Sequence, residues 1–149
     1  MLSIGQLLAS ILLLTSALWL PWATYRSPGV YVVFRTGLLD QVVVVCGVAG
    51  VIGAAIALRW EHTAVQWFLC SAGGIGIVTS VALALSKIKA ANDFHVSRAV
   101  AGTLESSATS YGMGSILGFA SSVVLLVLSL IHLRSVRQHE PEKERIATG

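Results

Sequence analysis

The sequence predicts an all-α membrane protein, a four-transmembrane-helix bundle with a short first outer loop suited to a β-hairpin and a longer, partly helical second outer loop. Three observations predict it. Of the 149 residues, 55% are hydrophobic and only 11% are charged, and the mean hydropathy is +0.80. A soluble domain carries about 25% charged residues, so most of this surface is not made for water. Four apolar runs approach or exceed the roughly 20 residues that a helix needs to cross a bilayer core. The linkers between them are unequal: Thr24 to Gln41, Arg59 to Thr63, and Lys87 to Gly112.

The first span, 2–23, has no charge and carries Ser3, Gln6, Ser10, Thr15 and Ser16 as its polar groups. It reads as retained rather than cleaved. A signal peptide has a basic n-region and a small residue at −3, whereas this segment has neither Lys nor Arg before its core and would place Pro21 at −3 of a cut after Ala23. Gln6 reads as an interfacial or helix-to-helix hydrogen bond. At the exit, "LWLPW" sets Trp19 and Trp22 at headgroup level, where amphipathic rings concentrate. Pro21 ends the helix by disfavouring α geometry in the residue before it. Tyr25 and Tyr111 extend this aromatic rim, which doubles as a surface for a partner.

The stretch "TYRSPGVYVVFRTG" then places a Ser-Pro-Gly turn between two short β-prone runs, the pattern of a small hairpin or extended flap. The second span, 41–58, is short and closed by Arg59; the tight turn after it makes the third span, 64–86, its antiparallel neighbour. Lys87 and Lys89 follow, with stems long enough to reach headgroups. In the second outer loop, Phe94, Ala101, Leu104, Ala108 and Tyr111 recur at helical spacing behind Asn92 or Asp93 as a cap. That pattern predicts a short amphipathic helix. The fourth span, 113–133, is stopped by Arg134 and Arg137, two further interfacial anchors. A charged, flexible cytoplasmic tail, 134–149, follows, with helix ending before Pro141 and with Glu140, Glu142 and Glu144 arguing against a polybasic lipid sensor.

Helices in lipid associate through small residues rather than through hydrophobicity. The third span repeats Ala72, Gly76, Ser80 and Ala84 at every fourth position, widened by Gly73 and Gly74. The second offers Gly50 and Ala54 on one edge and Ala49, Gly53 and Ala57 on the next; the fourth offers Gly114, Gly118 and Ser122. These ridges predict packing within one chain, with a homo-oligomer seam as the alternative. Orientation has little leverage, because five basic residues fall on each side. The charged tail and the aromatic outer loops favour termini inside a plasma membrane.

Chemistry is scarce. An ionisable group inside a span marks function by default, and none of the four spans contains an interior Asp, Glu, Lys or Arg. Coupled transport therefore loses its usual actor. His62, His95, His132 and His139 lack the pairing that haem or zinc needs. Cys46 and Cys70 are single and intramembrane, reading as small buried hydrophobes rather than a redox pair. No Gly-rich stretch follows a strand, and the thin basic balance leaves no footprint for nucleic acid. The expectation is a protein without enzymatic activity, cofactor or metal. It is an accessory or scaffold subunit whose outer loops bind another membrane or envelope component. The alternative is a small oligomeric transporter or channel for an apolar or weakly polar solute, lined by Ser71, Thr79, Ser80 and Ser122. A remoter third is a membrane enzyme using His95, Asp93 and Arg98.

With "LWLPWATY" closing the first span and "YGMGSILGFASS" opening the last, the chain resembles small tetraspan membrane proteins of high-GC Gram-positive bacteria. That resemblance implies the four-helix architecture and carries over no site residues. The two unequal outer loops, with a β-prone first loop, also resemble the claudin layout. The claudin-type first loop has a Trp…Gly-Leu-Trp…Cys…Cys signature, however, and this loop has no cysteine.

Overall fold

Seven elements make up the computed structural model, which describes residues 2–27, 30–34, 38–60, 62–100 and 108–147, and side chains within these except at 27, 30–34, 38–40, 94–100, 108–109 and 137–147. In chain order they are α1 (Leu2–Trp19), β1 (Ala23–Ser27), β2 (Val30–Phe34), α2 (Leu38–Arg59), α3 (Thr63–Val100), β3 (Ala108–Tyr111) and α4 (Met113–Ala147). Four helical stretches are long and apolar enough to cross a membrane: Leu2–Trp19, Gln41–Arg59, Thr63–Asp93 and Met113–Val136. The chain is built as a multi-pass membrane protein. Its helices contact one another in the closed cycle α1–α2–α3–α4–α1.

The bundle is inside-out relative to a soluble one. Large apolar residues such as Leu8, Ile52, Val78 and Val127 are exposed, while Gln6, Ser10, Ser16, Gln66, Ser122 and Ser129 are buried. Leu in lipid gains nothing by moving inward, so close approach of small residues sets the interior instead. A Cβ on Gly50 would stand 2.6 Å from Ser10 Oγ, and one on Gly76 would stand 2.7 Å from Ser122 Oγ. One on Gly53 would press Leu69 at 2.9 Å. The small faces are thus occupied within the chain: α2 meets α1 and α3, and α3 meets α4. Two apolar clusters complete the core, Leu13, Ala17, Trp22, Val43, Cys46 and Leu83 in one, and Ala9, Ala54, Ala57, Leu69 and Leu125 in the other. Cys46 and Cys70 are both free and buried.

Four boundaries differ from the sequence expectation. Helix α1 stops at Trp19, not Ala23, because Pro21 breaks the helix and Ala23 is already the first residue of β1. Helix α3 does not end at Ser86 but runs on to Val100. No Gly or Pro interrupts residues 87–100, so nothing local stops it. At 1.5 Å per residue it is about 57 Å long, nearly twice a bilayer core of about 30 Å. Asn92 and Asp93 therefore lie within α3 rather than at the start of a helix. Ala108 and Tyr111, expected on an amphipathic helix, lie instead in strand β3; positions 101–107 are outside the described residues. Finally, the segment 134–149, expected as a flexible tail, continues α4 as helix to Ala147. Its Glu, Lys, Arg and Gln residues are good helix formers, and they carry the helix past Pro141.

The strands form one antiparallel sheet of order β2-β1-β3. β1 pairs with β2 from Ala23↔Phe34 to Ser27↔Val30, and with β3 from Ala23↔Tyr111 to Arg26↔Ala108. The turn between β1 and β2 includes positions 28–29, outside the described residues. β3 was not legible as a strand, and it ties the second outer loop to the first. The sheet packs on α3 through β1 and β3, which is where the extra length of that helix is used. Leu83, Lys87 and Ala91, each one turn apart, all stay buried there.

Candidate functional site

Two places in the bundle hold polar chemistry in an apolar setting. The first lies at the end where α2 turns into α3. His62 accepts from the backbone N–H groups of Val65 and Gln66 through its carbonyl, starting α3 and putting Gln66 in its first turn. Gln66 is fully buried and faces Gln6 of α1. Gln6 Nε2 donates to Gln66 Oε1 at 2.8 Å and to Ser129 Oγ of α4 at 3.1 Å. Three helices are stitched by one amide. Gln6 is therefore a helix-to-helix hydrogen bond, and Gln66, which the sequence reading passed over, is its partner. The signal was present: Gln66 is a large polar residue inside the third apolar span. Gln6 Oε1, Gln66 Nε2 and, on the same end of α4, His132 Nδ1 remain buried without a partner.

Hydrogen bonds between helices in a membrane are worth about 0.6–2 kcal/mol each. Gln6→Leu removes both and should lower stability by about 1–2 kcal/mol. Denaturant titration of the reconstituted chain checks this. A double cycle with Gln66→Leu should then show coupling; strict additivity would mean that the amide pair does not hold the helices.

The second place is at the sheet end. Of the residues expected as rim anchors, Trp19 is 72% exposed and Tyr111 is half exposed. Trp22 is not: it is fully buried, against Gly118 and with Nε1 donating to the Ser16 carbonyl at 3.2 Å. Tyr25 is also buried, at a central position of β1, and Lys87 is only 8% exposed. These three are internal because the sheet folds back onto the bundle and α3, a contact between segments over 60 residues apart. Arg134 is exposed, and the Arg137 side chain is outside the described residues. Gly112 N–H donates to Trp22 O at 3.0 Å and Gly114 N–H to Pro21 O at 2.9 Å, clasping the start of α4 to the exit of α1.

Of the hydroxyls expected to line a pore, the structure does not bring all four together. Ser71 is exposed and donates to Trp67 O, Thr79 donates to Ile75 O, and Ser122 is buried and donates to Gly118 O. These bonds return to each residue's own helix. Ser80 differs: it is 1% exposed and its Oγ has no partner. The ridge positions Ala72 and Ser80 are buried, while Ala84 is half-buried on the wall of a groove between α3 and α4. Among the described residues no three of His, Cys, Asp and Glu converge. Of the loop residues considered for chemistry, Asp93 is exposed on α3, and the His95 and Arg98 side chains are outside the described residues. A scan against protein-family models finds no matching family, and a search of the curated proteins finds no match.

Proposed function

We propose that this chain is a non-enzymatic membrane scaffold, seated in the plasma membrane with both termini cytoplasmic, which holds another membrane or envelope protein by its outer sheet. The observation that carries this reading is the flank of β2 that no described strand covers. Strand β2 has β1 on one side and no described strand on the other. Its five residues, Val-Tyr-Val-Val-Phe, include neither charge nor proline, the usual devices that stop an edge from pairing. Such an edge takes up an extended segment through main-chain hydrogen bonds. The small-residue ridges point the same way, since they are spent on packing inside the chain.

A photo-crosslinking residue placed at position 31 or 33 in cells tests this. The expected result is one discrete adduct from either position that is missing when the same group is placed at Val78. Recovery of the chain alone, in every detergent and at every expression level, would remove the proposal. Solute flux through vesicles that contain only this chain would favour an oligomeric channel in its place.

A further inference from the structure

The two ends of the bundle are held differently. At the sheet end, β1 pairs with β3, Gly112 N–H donates to Trp22 O, Gly114 N–H donates to Pro21 O, and Trp22 fills the space at Gly118. These contacts fix the exit of α1 to the start of α4, and the same sheet packs on α3. At the other end, where α2 turns into α3, the Gln6 amide bonds Gln66 of α3 and Ser129 of α4. Buried polar groups are nearly always paired. Yet among the described residues three buried side-chain atoms at this end have no partner: Gln6 Oε1, Gln66 Nε2 and His132 Nδ1. Turning the amides over does not repair this. Ser129 Oγ donates its proton to Leu125 O at 2.7 Å, so it can only accept, and the Gln6 group that faces it is the NH2. That NH2 also faces Gln66 Oε1, which leaves Gln6 Oε1 and Gln66 Nε2 over.

The three atoms straddle one seam. A Cβ on Gly76 would meet Ser122 and one on Gly73 would meet Leu126, so α3 and α4 run antiparallel in a register that sets Gln66 level with His132. The turn between Arg59 and Thr63 ties α3 to α2, and the clasp at the sheet end ties α1 to α4. Gln66 therefore stands on one pair of helices, and Gln6 and His132 stand on the other. The seam is shallow at this point. Gln66 is three residues into α3 and Gln6 four into α1, about 4.5–6 Å at 1.5 Å per residue. The remaining unpaired atom, Ser80 Oγ, is about 25 Å along α3.

We infer that the bundle opens at the turn end: the α2–α3 pair swings away from the α1–α4 pair about a hinge at the sheet, and water reaches Gln6, Gln66 and His132. Opening breaks the Gln6–Gln66 bond across the seam and keeps the Gln6–Ser129 bond, which lies within the α1–α4 pair. Hydration of three otherwise unpaired atoms offsets that loss, so the open form is a minor native conformation rather than an unfolding event. Ser80 stays closed, because it lies in the half that the sheet holds. The opening does not depend on what the sheet binds.

The test uses the full chain in phosphatidylcholine nanodiscs, with Cys46→Ala and Cys70→Ala as background and either Ser129→Cys or Ser122→Cys added. Both serines are fully buried, and Ser122 is about 10 Å deeper along α4. A charged methanethiosulfonate reagent should modify Ser129→Cys about tenfold or more faster than Ser122→Cys. His132→Leu removes an atom that gains from water and breaks no bond of Nδ1. It should slow modification at position 129 about fivefold, the lower end of what an unpaired buried polar group is worth. Nitroxides at the exposed positions 62 and 134 should report two separations, and a pair at the exposed positions 85 and 116 a single one; these chains keep Ser129. Equal protection of Ser129→Cys and Ser122→Cys, or a single separation between 62 and 134, would overturn the opening. Equal reactivity at both cysteines would overturn the hinge, and modification unchanged by His132→Leu would overturn the unpaired atoms as its cause.

Discussion

Gly73→Leu is expected to prevent assembly of the four-helix bundle, while Gly74→Leu, one residue away, leaves it intact. A Cβ on Gly73 would stand 2.9 Å from the backbone nitrogen of Leu126 and 3.1 Å from its Cα. A flexible side chain could turn aside, but the backbone of α4 cannot move without carrying its whole length of contacts. Overpacking a well-filled interior costs about 1–3 kcal/mol and occasionally more. Here the added group meets main chain, so the loss should reach or exceed the top of that range. A Cβ on Gly74 has nothing within 4 Å, and a leucine there simply joins the lipid-facing surface. Gly76→Leu falls between: its Cβ would meet Ser122 Oγ at 2.7 Å, a side-chain atom that can rotate. Size-exclusion profiles and thermal melts of the three variants give the ranking. Equal behaviour of Gly73→Leu and Gly74→Leu would show that α3 and α4 do not pack on this face.

The second large effect is expected from Trp22→Ala. Truncating a buried tryptophan costs about 3–5 kcal/mol, because the surroundings close the cavity only in part. Trp22 is fully buried, and Gly118 is small enough to admit it: a Cβ there would lie 2.6 Å from the ring atom Cη2. Its backbone carbonyl also holds Gly112 N–H, so a loosened ring disturbs the junction of α1, sheet and α4 together. Pulse proteolysis in micelles should show early cleavage near that junction as well as the loss of global stability. Trp19→Ala, at a lipid-facing residue 72% exposed, should stay within about 0.5 kcal/mol of the parent. Similar losses for both tryptophans would return Trp22 to the rim.

These paired residues mark what was legible in the chain. Transmembrane segments are a property of local sums: apolar content over about 20 residues reports the cost of placing that window in lipid, whatever surrounds it. Hydropathy alone therefore located four crossings to within a few residues at most ends. Small-residue spacing is likewise local, so Gly50, Gly53, Gly76, Gly114 and Gly118 stood out before any partner was known. Which neighbour each one meets is another matter. Gly73 and Gly74 are identical as letters, and only the position of α4 makes one indispensable and the other free.

Aromatic and basic residues near helix ends were the least legible. Trp19 and Trp22 read alike because both are amphipathic rings beside a proline at the end of an apolar run. One faces lipid and the other fills the space above Gly118, a residue 96 positions further along the chain. Lys87 looked like a headgroup anchor since it follows a span; it is buried because α3 continues and the sheet packs against it. Gln66 passed unnoticed because its value lies in meeting Gln6, on another helix, which in turn donates to Ser129 on a third. Even β3 follows this rule. Ala-Thr-Ser-Tyr is a weak strand on its own, and pairing with β1 gives it its form.

By itself, then, the sequence determined the solvent of this protein, the number of crossings and the residues small enough to let helices touch. Each depends on the free energy of a short segment in lipid. The tertiary structure alone decided which tryptophan is core, which serine hydroxyl is buried without a partner and which strand lies between the other two. Those outcomes depend on groups that meet only after the chain has folded back on itself, and no local window contains both partners.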